Sequence, residues 1–176
     1  MKWSYGQAGI ATTIARGFEE MLSSRRQTFT LFTLSKKSPR IAELLAGLPL
    51  GGRDPHYLGF FPCFNRQLFF EAHDVLEQLW LADGKDSPDY RFYKGLIQLA
   101  GAFVHLQKGR LRPAVALFRL SESNISAYAP LHHGLDIEQT MRLIRHYQGS
   151  IEVSGFTQNP LETQPPPSLN VSDVVL

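Results

Sequence analysis

The stretch Phe64-Asn65-Arg66-Gln67-Leu68-Phe69-Phe70-Glu71-Ala72-His73-Asp74-Val75-Leu76-Glu77-Gln78-Leu79-Trp80 decides the fold. At about 100° per residue it reads as one amphipathic helix. Gln67, Glu71, Asp74 and Gln78 share a narrow polar stripe. Leu68, Phe69, Phe70, Ala72, Val75, Leu76, Leu79 and Trp80 fill most of the remaining circumference. Asn65 is the expected N-cap. His73 falls inside the apolar arc, beside Trp80, with Glu77 one turn on. An imidazole turned inward must find a hydrogen-bond partner, because leaving it without one costs about 1–3 kcal/mol.

Working outward, the same period recurs. Ser87-Pro88 starts a helix through Tyr90 to about Gln107, which stops at Lys108-Gly109. Pro113 opens another, with Ala114, Val115, Leu117, Phe118, Ile125 and Tyr128 as apolar positions. Asp136 and Gln139 form a capping-box pattern for a fourth, carrying Ile137, Met141, Leu143, Ile144 and Tyr147 to Gly149. Short connections make neighbouring helices antiparallel. The expected fold class is all-α, a small antiparallel helical array.

Upstream the pattern is thinner. Ile10, Ile14, Phe18 and Leu22 have helical spacing, Thr28–Leu34 alternates like a short strand, and Ser38-Pro39 begins a helix ending near Gly47. A loop is expected over Gly51, Gly52, Asp54 and Pro55. The organisation that follows is a basic, poorly ordered extension over 1–37, a helical domain over 38–150 and a flexible Pro-rich tail over 151–176. Met21 is an alternative beginning for the chain.

Three segments together resemble a known family. They are Phe64-Asn65 through Phe70-Glu71-Ala72-His73-Asp74-Val75-Leu76-Glu77-Gln78-Leu79-Trp80, then Gly95-Leu96-Ile97-Gln98-Leu99-Ala100, then His105-Leu106-Gln107-Lys108-Gly109. In order and spacing they are similar to the family catalogued as domain of unknown function 309, over about residues 60–130. The resemblance implies a compact all-helical domain and supplies no reaction. The chain departs from the usual pattern at Gly109-Arg110 and at Pro113, a loop and a helix start.

Candidate chemistry gathers on two helices. Arg91, Lys94, Gln98 and His105 share one stripe of the second, with Gly95, Gly101 and Ala102 beside it. Such small residues suit close approach of another helix or of a ligand. Across a groove these would face Glu71, His73 and Glu77, with Trp80 as an apolar wall. The expected ligand-binding set is therefore Glu71, His73, Glu77, Trp80, Gln98 and His105. Three readings stand. The network is structural and fixes helix register. Or His73 and Glu77, at i,i+4, ligate a divalent metal. Or the groove holds a small molecule, with a carboxylate–imidazole pair poised for proton transfer. A second His-x-x-x-Glu pair, as a di-metal bundle demands, is missing. His132-His133 reads as a solvated loop.

Bulk properties narrow the class. The 176 residues are 43% hydrophobic and 19% charged, the balance of a globular domain. No apolar run approaches the roughly 20 residues needed to cross a bilayer, and no secretory signal pattern is present. One cysteine, Cys63, excludes an internal disulfide and fits a reducing, cytoplasmic setting. Among Phe60, Phe61 and Phe64 it reads as a small buried residue rather than a nucleophile. Seven basic residues against Glu19 and Glu20 give residues 1–40 a net +5, and the other eleven basic and fourteen acidic residues give −3. The helical region therefore lacks the electrostatics of nucleic-acid binding. Phosphate-cradling glycine loops and nucleophile elbows are missing as well.

The expected function is a non-catalytic module binding a small ligand or a protein partner around His73, Glu77, Gln98 and His105. No cofactor is required by the pattern, and a divalent metal is the alternative ligand. A metal-assisted or acid–base enzyme on the same residues is the competing class. An interface made from Tyr57, Leu58, Phe60, Phe61 and Phe64, many aromatics for a loop, would favour the protein-partner reading, and a homo-oligomer is a separate expectation.

Overall fold

The computed structural model describes residues 53–172. The basic extension over 1–37, the spacing at Ile10–Leu22, the segment Thr28–Leu34 and the helix begun at Ser38-Pro39 lie outside the described residues. Within them the fold is mostly helical, as the periodicity demands. The elements are α1 (Pro55–Asn65), α2 (Phe69–Asp83), α3 (Tyr90–Gln107), α4 (Leu111–Ile125), a 3-10 turn (Ser126–Tyr128), β1 (Leu131–His132), β2 (Leu135–Asp136), α5 (Ile137–Val153) and α6 (Pro160–Thr163).

The first helix was not expected. Asp54 accepts a hydrogen bond from the His56 amide at 2.7 Å and Pro55 occupies the first turn, a standard helix start. Tyr57, Phe60, Phe61 and Phe64 follow at i, i+3, i+4, i+7 and are all buried. They are core, packed inside the domain and not presented on a loop. Gln67 then takes a left-handed φ of 59° and turns the chain into α2. Asn65 therefore closes α1 instead of capping α2, whose N-cap position is Leu68.

Helix α3 is central, packing most extensively against α4 and then α2; α1 packs on α2, and α5 on α4. Phe69 stacks on Phe103 at 4.9 Å while Trp80 meets Tyr90 at 5.0 Å, which sets α2 and α3 antiparallel. Phe64, Phe69, Phe118 and Tyr147 all meet the Phe103 ring at centroid separations of 4.8–5.3 Å. These edge and offset contacts join five helices in one core.

Gly95 of α3 serves helix packing. A Cβ built on Gly95 would collide with Ile125 Cγ2 and lie 3.2 Å from the Ser121 carbonyl oxygen. Ser121 Oγ donates to the Gly95 carbonyl at 2.7 Å across the same contact.

The Asp136 cap on α5 is as expected, its carboxylate accepting from the Gln139 amide at 2.7 Å. The helix runs on to Val153, past Gly149. Residues 151–172, expected as a flexible tail, lie against the helices. Ile151, Pro160, Pro167 and Leu169 are buried. Tyr147 Oη donates to the Pro165 carbonyl at 3.0 Å, and Asn65 makes a two-way amide bond with Leu169, at 2.9 and 2.8 Å. Leu135 bridges to Val171. Proline-rich composition favours an extended chain, and here that extended chain has a surface to lie on.

Candidate functional site

Helix α2 gathers three polar groups that are all buried. His73, Asp74 and Glu77 are only 7%, 8% and 6% exposed. One ligand atom from each lies within 4.8 Å of the others. His73 Nδ1 is 3.3 Å from Asp74 Oδ1, so the imidazole engages its chain neighbour as well as lying near Glu77. The Phe70 ring lies nearly parallel to the His73 ring, 6.4 Å between centroids. Burial of Asp74 is the surprise, since the wheel put it in the wet stripe with Glu71 and Gln78. Glu71 is half-buried, and Gln78 is exposed. Trp80 is buried against Tyr90.

The expected partners on α3 have other engagements. Gln98 Oε1 accepts from Asn124 Nδ2 at 2.8 Å, a bond between α3 and α4. Arg91 likewise reaches Asn124 and the Ser123 carbonyl. His105 sits at the last turn of α3, half-buried. Its Nδ1 is buried without a hydrogen-bond partner among the described residues. Burial, with the charges of Arg110 and Lys108, holds its pKa below the ordinary histidine value. The structure thus brings His73 and Glu77 together with Asp74 and commits Gln98 to the α3–α4 contact.

Residues 57–124 match a family model described as Domain of unknown function (DUF309). The chain carries a DUF309 domain. Searches of curated proteins and of solved structures return no match. The DUF309 segment begins inside α1 and ends one residue short of the end of α4, so it contains the whole α2 cluster. The hairpin and α5 lie beyond it. None of the helices among the described residues is long and apolar enough to cross a membrane.

A second cluster straddles that boundary. Asp89, at the N-cap of α3, receives His132 Nε2 on Oδ1 and His133 Nε2 on Oδ2, each at 2.7 Å. Burial pushes the Asp89 carboxyl up, but hydrogen bonds from His133 and His132 outweigh it and hold the pKa below the usual carboxylate value. The histidines expected as solvated loop are therefore bonded to the DUF309 segment. A His-His pair in a Pro/Gly-bounded turn was the available signal; its partner, 43 and 44 residues away, had none.

Proposed function

We propose that the DUF309 domain of this chain is a non-catalytic binding module that takes a small cationic ligand at the His73–Asp74–Glu77 cluster. One observation carries the reading: two carboxylates and an imidazole converge within 4.8 Å on a single helix, each less than a tenth exposed. Oxygen and imidazole donors suit a divalent ion, and the same carboxylates suit an alkylammonium head. The proposed site is smaller than the groove expected from the sequence, because Gln98 is held by Asn124.

A second reading, an acid–base enzyme, is favoured by the 3.3 Å contact between His73 Nδ1 and the Asp74 carboxylate. Such a pair orients the imidazole for proton transfer.

Titration with Mn2+ alone, followed by paramagnetic broadening of backbone amides, tests the binding reading. Saturable broadening centred on residues 71–80 is expected, weakened in both Glu77→Gln and Asp74→Asn. Absence of saturable broadening at millimolar Mn2+, with ethylammonium also giving no shifts there, refutes it.

A further inference from the structure

The strongest unassigned constellation lies at the junction of α3 and the β1–β2 hairpin. We propose that Asp89, His132 and His133 form a second, separate site for a divalent transition-metal ion of the zinc type, with three protein ligands and an open position.

The geometry is built, not incidental. Adjacent residues in an extended strand point to opposite faces. His132 ends β1, and His133 takes a left-handed φ of 45°, uncommon for a residue with a side chain. That turn brings the two rings to the same side, their centroids 4.2 Å apart. Both Nε2 atoms then address one carboxylate, and the three donor atoms lie within 4.8 Å of one another.

Each ligand is braced from behind. The His132 ring packs edge-on against Phe92 at 4.7 Å and tilted against Tyr128 at 4.7 Å. Tyr93 stacks on His133 with an interplanar angle of 10°. Tyr57 Oη donates to the His133 carbonyl at 3.1 Å, tying the turn to α1. Asp89 is fixed at the start of α3. Rings held by packing reorganise little when an ion arrives, which is what a metal site needs.

The chemistry also fits. Zinc–nitrogen and zinc–oxygen bonds of about 2.0–2.2 Å separate tetrahedral donors by about 3.3 Å. The present 2.7 Å separations are those of N–H···O bonds; an ion takes the place of the two Nε2 protons, each ring staying neutral with its N–H on Nδ1, and spreads the donors by about half an ångström. Two imidazoles and one carboxylate with an open position is the ligand count of catalytic rather than structural zinc sites. Side-chain exposures of 19% for Asp89, 27% for His132 and 39% for His133 leave room for water to complete the shell.

The test uses the full-length chain after chelator dialysis. Calorimetric titration with Zn2+, and visible absorption with Co2+, should show saturable uptake and the intense d–d bands of a four-coordinate Co2+ ion. Asp89→Asn and His133→Ala should each weaken Zn2+ binding more than about 100-fold, beyond what loss of a supporting group does. His146→Ala, which belongs to neither cluster and bonds only to Gln164, should leave the Co2+ bands intact. His133 is exposed, so His133→Ala should fold, and circular dichroism checks it. Two results overturn the proposal. One is no saturable Zn2+ binding, with Asp89→Asn merely lowering Tm, as for a plain structural clamp. The other is Zn2+ binding equally strong in wild type, Asp89→Asn and His133→Ala.

Discussion

Replacing Gly95 by alanine should destabilise the protein, although alanine is the better helix former. Gly95 lies inside α3, where exchange for alanine would by itself stabilise by about 1 kcal/mol. The added methyl, however, meets Ile125 Cγ2, lies 3.2 Å from Asn124 Cβ and is equally close to the Ser121 carbonyl oxygen. Ile125 is β-branched and helical, so its χ1 cannot swing the methyl aside. The helices must separate instead, at an overpacking cost of about 1–3 kcal/mol. Separation also strains the buried Ser121–Gly95 hydrogen bond, worth about 1 kcal/mol. The balance is a loss of about 1–3 kcal/mol, or a fall in Tm of roughly 2–12 °C for a chain of this length. Gly149→Ala is the control. Gly149 is inside α5 with nothing within 4 Å of its would-be Cβ, so this change should stabilise by about 1 kcal/mol. Urea unfolding by circular dichroism measures both. Equal stabilisation by the two substitutions would refute the close approach of α3 and α4 at Gly95.

Other outcomes are as definite. Folding depresses the His105 pKa, so below its ordinary value of 6.5 the unfolded chain takes up a proton that the folded chain resists. Its contribution is whole above pH 6.5 and is lost as pH falls toward the folded pKa; thermal melts from pH 7.5 to 5 should show a shallower decline for His105→Gln. Asn65→Ala removes both hydrogen bonds to Leu169 and should cost about 1–3 kcal/mol, with amide exchange accelerated over residues 160–172 before the rest of the domain. Gln98→Ala should lower stability by loosening Asn124 while leaving the Mn2+ titration of α2 unchanged; a changed titration would return Gln98 to the binding site.

The main helices were legible because helical periodicity and capping are written in neighbouring residues. Asp136 with Gln139 marked the start of α5 correctly, and Lys108-Gly109 the end of α3. Helix α1 was hidden by its prolines. Pro55 and Pro62 in an eleven-residue segment read as loop, yet Pro55 sits in the first turn and Pro62 forfeits one hydrogen bond while four aromatic rings are buried. Burial of Asp74 was hidden for a different reason. The wheel gives angles about one axis, and what lies against each angle depends on the neighbouring elements.

For this chain, local order was enough to determine an all-helical domain with an inward histidine on α2 and a carboxylate one turn away. Which polar groups meet was decided only by the tertiary structure. Asn65 with Leu169, Gln98 with Asn124, and Asp89 with His132 and His133 are pairs 26 to 104 residues apart. The physical reason is range: helix formation couples residues within about one turn, whereas a hydrogen bond between segments depends on how whole helices pack and on where the turns between them point.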